Sequence, residues 1–493
     1  QVSEKANRIG IYEDRIIEAT AVQGGFKLEG KEDIIALPKK DRDALVSQVR
    51  EKGFQQVMEE VAYTWFNRFM GLRYMEVNDY LPSGIRILSS EVEGKKEPDV
   101  LTKVSEIIDE LELNANEIYD LLDTGSTLDR EKAYRIILVK QCNELGKIIP
   151  QMFEKISDYT ELLLPDNLLE EGSVIRKMVE DIEECDWLEE VEIIGWMYQY
   201  YISEKHDEVV GINTGTIKKN DIPAATQLFT PKWIVKYMID NSLGKLWIDN
   251  NRNSSLKSEL EFYLEKNVFI DDDKCNSLNP ENIKLLDNAM GSGHILVYAF
   301  DVFYKMYIEA GYSERDIPKK ILENNLFGID IDDRAEQLAT FALIMKARHY
   351  NRRLFREIEK NKINLNLISI KESTGLSEED INYFVNGNEY LKTQVKILLD
   401  NFKNAKEFGS IINLDNIDIN LIEERVKELE NINYENLLDI NSYENIKVYL
   451  KPIIKQYKIM SLKYDVVITN PPYMGNYDKE LKKFIIDNYS DFK

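Results

Sequence analysis

The chain has 493 residues, 43% of them hydrophobic and 31% charged, with 63 basic against 88 acidic side chains for a net charge of −25. That length and apolar content allow two to four domains with a sizeable core. The acidic balance argues against nucleic acid being gripped over the whole surface, since such binders carry a basic footprint, but leaves room for a local basic groove. No apolar run is long enough to cross a bilayer and no secretory pattern opens the chain. Cys142, Cys185 and Cys275 stand too far apart for a disulfide framework or a zinc site. The expectation is a cytoplasmic protein with no metal centre.

Residues 1–215 read as a mostly helical domain. Val61, Trp65, Phe66, Phe69, Leu72 and Tyr74 recur at helical spacing, as do Ile193, Ile194, Met197, Tyr200 and Tyr201; such stripes predict buried helix faces. Pro82-Ser83-Gly84 predicts a turn, and the polar stretch from Glu91 to Pro98 a loop. Gly211 to Asp221 is polar and reads as a linker. From Ile222 the pattern changes, with short apolar runs at 284–286, 325–329 and 464–469 alternating with helical stretches. This predicts an α/β domain over 216–493 built on a parallel, doubly wound sheet, whose ligands would sit at the carboxyl ends of the strands. Residues of about 375–460 interrupt the alternation as a helical insertion, opened by Ser377 as N-cap with Asp380 at the third helical position. The closing stretch from Phe484 to Lys493 reads as a helix cut in mid-course, as in a fragment of a longer protein.

Chemistry-bearing residues fall at the ends of the apolar runs. Asp287-Asn288-Ala289-Met290-Gly291-Ser292-Gly293 follows the first run and opens a helix. A dinucleotide cradle would need a small residue where Leu296 stands, so the loop suits a ligand with an amino-acid tail and no phosphate. Asp287 would attract the ammonium of that tail, with Ala289, Gly291, Ser292 and Gly293 forming the turn around it. Asp330 ends the second run, where a carboxylate can accept both ribose hydroxyls of an adenosine. Ile331 would pack beside the adenine, and Asp332 and Asp333 would cap the next helix. After the third run comes Asn470-Pro471-Pro472-Tyr473. An exocyclic amine on an aromatic base is a poor nucleophile because its lone pair is delocalised. Two acceptors on its N–H groups localise that pair: the Asn470 side-chain oxygen and the Pro471 carbonyl, the latter held by consecutive prolines. Tyr473 can stack on a flipped base. Phe229-Thr230-Pro231 predicts a helix start, with Thr230 as cap and Pro231 at the first helical position, and suggests a segment closing over the cofactor tail. Glu372, beyond a further run at 368–370, is a candidate for the cofactor's adenine amino group.

Taken in order, Phe229-Thr230-Pro231, Asp287 to Gly293, Asp330 and Asn470 to Tyr473 resemble motifs X, I, II and IV of gamma-class amino-methyltransferases. Asn288 stands where that class usually has proline, a departure that bears only on the rigidity of the loop. Segments 62–68, 73–77, 195–201 and 225–231 resemble the PglX (BrxX) methyltransferases of BREX phage-defence systems. The resemblance implies a Rossmann-like methyltransferase domain and S-adenosyl-L-methionine as cofactor. It further implies N6-adenine methylation of double-stranded DNA, read through a C-terminal target recognition domain outside this chain, by a monomer that partners other defence proteins. A methyltransferase-type scaffold or DNA-recognition subunit, and a protein glutamine N5-methyltransferase using the same tetrapeptide chemistry, are the alternatives. No nuclease constellation is evident in the first 215 residues.

Overall fold

The computed structural model describes residues 1–154, 159–212, 230–251, 253–265, 278–361, 363–432, 436–471 and 479–489. The chain folds as two compact units, Gln1–Ile194 and Gly195–Lys493. The division falls inside the helix Ile193–Ile212, upstream of the linker expected from composition, so most of that helix belongs with the second unit.

The first unit is helical, as the periodicity predicts, with one departure. Strands β1 (Ala19–Val22), β2 (Gly25–Leu28) and β3 (Ile34–Ile35) form a small antiparallel sheet in that order. Val22 pairs with Gly25 across a two-residue Gln23-Gly24 turn, and Gly24 takes the positive φ such a turn demands. At two to four residues each, these strands are too short for an alternation to stand out, although β2 buries Phe26 and Leu28 on one face, which is why the sequence pattern misses them. The unit is organised around the helix Phe54–Val77, which buries Val61, Trp65, Phe69, Leu72 and Tyr74. Its last turn also buries Arg73 and Glu76, an ion pair of 2.8 Å. The Glu76 carboxylate accepts from Arg73, the Ser89 hydroxyl and the backbone N–H groups of Ile87 and Leu88, all within 2.9 Å. A buried charge is tolerable only when its hydrogen-bonding capacity is met in this way.

The stripe expected on the helix Ile193–Ile212 is rotated. Ile194, Tyr198 and Ile202 are buried, whereas Tyr200 is 73% and Tyr201 39% exposed. Tyr198 can take the buried position because its hydroxyl finds a carboxylate acceptor.

The second unit contains a parallel sheet of β4 (Leu285–Asp287), β5 (Leu326–Asp330), β6 (Asn366–Ser369) and β7 (Val466–Val467), in the order β6-β5-β4-β7. The strand order reverses between β4 and β7, the switch point at which open α/β sheets bind ligands. The helices His294–Glu309 and Asp333–Tyr350 follow β4 and β5. The stretch between β6 and β7 forms the helices Glu378–Val385, Glu389–Asn401, Ile419–Glu430, Leu437–Asn445 and Lys451–Ser461. Ser377 caps the first of them, with Asp380 completing the capping box. Their apolar faces share one core with Phe327, Ile329, Ile368 and Ile370 of the sheet region. The insertion is therefore part of the sheet's packing, not an appendage. The closing helix runs Lys479–Asn488; residues 490–493 of the stretch expected to be helical lie outside the described residues. It docks on the insertion through stacked Phe408 and Phe484, 4.2 Å apart, and a 2.6 Å hydrogen bond from the Tyr489 hydroxyl to the Ile411 carbonyl.

Candidate active site at the strand ends

Asp287, Asp330 and Asn470 all stand at or just beyond the carboxyl ends of parallel strands. Register brings the first and last together: β7 pairs with β4, and the Ile468 N–H donates to the Leu286 carbonyl at 2.9 Å. Residues 183 positions apart thus flank the same switch point.

The turn after β4 is shaped by its glycines. Gly291 and Gly293 both have positive φ. A Cβ on Gly293 would stand 3.0 Å from the Ala339 Cβ, so only glycine lets the loop lie this close to the Asp333–Tyr350 helix. The Gly291 N–H donates to Asp330 at 2.8 Å, the Asp332 N–H donates to the other oxygen of that carboxylate at 2.9 Å, and the Met290 N–H donates to the Ile329 carbonyl at 3.0 Å. The loops after β4 and β5 are one hydrogen-bonded assembly.

Asp287 is 1% exposed. One of its oxygens accepts from the Ala289 N–H at 3.2 Å; the other has no hydrogen-bond partner. Burial, reinforced by the negative charge of Asp330, pushes its pKa up to about 7 against the lowering pull of the Ala289 N–H and of the Thr469 hydroxyl beside it. Thr469 makes no well-aligned bond there: its Oγ1 is among the buried polar atoms with no partner, with Asn288 Oδ1 and Ser292 Oγ. Burial also raises the Asp330 carboxyl, to about 6, with Asp332 adding repulsion. Buried polar atoms are normally paired. Four orphans on the loops after β4 and β7, one of them an acid, describe a place built for a polar ligand with a cationic group. The amino-acid tail of S-adenosyl-L-methionine has those properties, so these residues fit that cofactor.

Asn470 donates from Nδ2 to the Thr230 hydroxyl at 3.1 Å, which orients the amide and makes Oδ1 its acceptor end. Thr230 is buried, but it does not cap a helix. The helix begins at Lys232, with Pro231 in the cap position and no side-chain cap, so the expected start is corrected by one residue and the threonine hydroxyl serves Asn470 instead. Pro471 is exposed. Phe229, Pro472 and Tyr473 lie outside the described residues. Ile331 packs partly buried against the core shared by sheet and insertion, and Glu372 lies partly exposed just past β6. Asp332 caps the Asp333–Tyr350 helix by accepting from the Arg334 N–H, as expected. Asp333 does not: it is the first helical residue and pairs with Lys371 at 2.7 Å.

Sequence reasoning passed over Thr469, whose hydroxyl is hidden in an ordinary strand end. It also passed over Gly195 and Tyr198, although the run 195–201 was singled out for its resemblance. An isolated Gly-Trp-Met-Tyr within a helical stripe carries no chemical signal of its own.

The family described as Eco57I restriction-modification methylase matches residues 324–493, a span that takes in β5, β6, β7 and Asn470. The adenine-specific methyltransferase BrxX of Escherichia coli O9:H4 (strain HS) is 38% identical over 522 residues, covering 100% of this chain and 42% of that protein. The adenine-specific methyltransferase PglX of Lacticaseibacillus casei (strain Zhang) is 37% identical over 514 residues, covering 98% of this chain and 41% of that protein. The chain therefore spans about two fifths of the length of the curated relatives it matches. The similarity runs along essentially the whole chain, so the chain is similar over its full length to a part of the BrxX and PglX methyltransferases.

Proposed function

We propose that the protein containing this chain is a site-specific DNA adenine N6-methyltransferase that uses S-adenosyl-L-methionine and marks host DNA within a phage-defence system. The observation that carries the reading is the placement of Asn470 at the β4–β7 switch point, oriented by Thr230, next to the loop of Asp287. The fold is read as a Rossmann-like methyltransferase domain preceded by a helical domain. Duplex DNA is read as the substrate, gripped mainly through a target recognition domain outside this chain. That division accounts for an acidic chain in a DNA-modifying protein. The protein acts as a monomer in the cytoplasm, alongside other proteins of the defence system.

When bound, the cofactor supplies a reactive methyl group on a sulfonium centre. Asp287 holds its ammonium with the oxygen that has no donor, and the turn from Ala289 through Gly291, Ser292 and Gly293 surrounds the tail. Asp330 accepts from the ribose hydroxyls with its remaining lone pairs, Ile331 lies along the adenine, Glu372 accepts from its amino group, and Phe229, Thr230 and Pro231 close the tail side. Asn470 Oδ1 and the Pro471 carbonyl accept the two N–H groups of the target adenine and localise its lone pair. Pro472 stiffens that loop and Tyr473 stacks on the flipped base.

The test is methyl transfer from labelled S-adenosyl-L-methionine by the complete protein to duplex DNA of diverse sequence, with a release-factor-like peptide in parallel. Label in adenine supports the reading; label in a glutamine side chain, or none, overturns it. Asn470→Ala is expected to lower the rate on DNA by about 10²–10³, the worth of one well-placed group on the reacting centre.

A further inference from the structure

We propose that Tyr198 is a positioning residue of the cofactor site. The helix Ile193–Ile212 follows no strand of the parallel sheet and opens from no glycine turn that would mark it as part of such a site. Yet three contacts from its second-unit portion reach the loops after β4 and β5. The Tyr198 hydroxyl, in a side chain 1% exposed, donates to Asp332 Oδ2 at 2.9 Å. Trp196 lies 5.4 Å from the His294 ring, at the head of the helix that follows the glycine turn. Gly195 lies so close that an added Cβ would stand 2.5 Å from Ser292 Oγ and 2.7 Å from His294 Nε2.

The Tyr198 bond continues inward. The other Asp332 oxygen accepts from the Arg334 N–H at 3.0 Å and so starts the Asp333–Tyr350 helix. The Asp332 N–H donates to Asp330, whose second oxygen accepts from Gly291. Tyr198, Asp332, Asp330 and Gly291 thus form one chain of hydrogen bonds from this helix through the β5 loop into the β4 loop. Asp330 carries a charge that burial opposes, so its orientation depends on donors held in place by their own partners. Removing the outermost hydroxyl takes the donor from Asp332 Oδ2, leaves the carboxylate held by the Arg334 N–H on its other oxygen, and loosens the link between this helix and the two loops. The Tyr198 ring has no part in this beyond carrying its hydroxyl, which separates positioning from packing.

This inference rests on the cofactor reading above. The experiment is calorimetric titration of the complete protein with S-adenosyl-L-methionine, comparing the unaltered protein with Tyr198→Phe, Asp332→Asn and the double variant. Tyr198→Phe is expected to weaken binding about tenfold, the order of one hydrogen bond to a carboxylate, with the unliganded melting temperature nearly unchanged because the ring still fills its place. In the Asp332→Asn background the same substitution should cost much less, since the two act through one bond. Gly195→Ala, which displaces Ser292 without touching Asp332, should also weaken binding. Unchanged affinity in Tyr198→Phe, or a full loss persisting in the Asp332→Asn background, overturns the inference alone. Absence of binding by the unaltered protein overturns the cofactor reading, and this inference with it.

Discussion

Each of the two units buries a carboxylate, and the two are treated in opposite ways. Glu76 in the first unit accepts from a guanidinium, a hydroxyl and two backbone N–H groups, so its charge is fully served. Asp287 in the second unit, just as deeply buried, has one backbone donor at 3.2 Å and an oxygen with no partner. A satisfied buried charge holds its surroundings in one arrangement. An unsatisfied one sits at a cost that a cationic ligand relieves. The difference separates structure from function more sharply than burial or charge does, since both residues score alike on those.

The comparison breaks first at Glu76. Glu76→Ala leaves Arg73 buried beside Ser89 with its main counterion gone, and is expected to cost about 3–5 kcal/mol of stability, measured by urea unfolding of the complete protein. A cost below about 1 kcal/mol would mean that the network is ornamental. Asp287→Asn should do the reverse. An aspartate with a folded pKa near 7, against about 3.9 unfolded, binds more protons folded than unfolded between those values. The unliganded protein therefore loses stability as pH rises from about 4 to 7 and stays lowest above that range. Asp287→Asn removes the titrating group, so its melting temperature should exceed that of the unaltered protein at pH 8, by the equivalent of roughly 1–2 kcal/mol once polar relaxation is allowed for. The two should converge near pH 4, while cofactor affinity falls. An Asp287→Asn protein less stable at pH 8 would show the site to be structural. The smallest expected effect is at Phe408. Its stacking on Phe484 is a half-buried aromatic contact worth about 0.5–1.5 kcal/mol, so Phe408→Ala should speed hydrogen exchange in the helix Lys479–Asn488 and leave global unfolding nearly unchanged.

Much of the second unit was legible in the linear pattern. The runs at 284–286 and 325–329 fall on β4 and β5, the acids that end them fall at the strand ends, and Ser377 with Asp380 forms the expected capping box. These features are local: strand, turn and cap signals act within a few residues of each other. What failed was also local but weak. The strands of the antiparallel sheet of Ala19–Ile35 are only two to four residues long, the Tyr200–Tyr201 pair imitates a core stripe while facing solvent, and Thr230 looks like a cap but serves Asn470.

By itself the sequence determined the chemical inventory: which acids follow which apolar runs, where the glycines allow a backbone to turn, and that Asn470 precedes two prolines. Tertiary structure decided which of these meet. Pairing β7 with β4 across an insertion of helices brought together the strand ends that carry Asn470 and Asp287, burial chose Tyr198 over Tyr200 and tied it to Asp332, and packing left Asp287 without a second donor. The physical reason is that propensity and periodicity act over a turn or a strand, whereas strand order and the pairing of buried polar atoms are settled only when distant segments compete for the same core and the same hydrogen bonds.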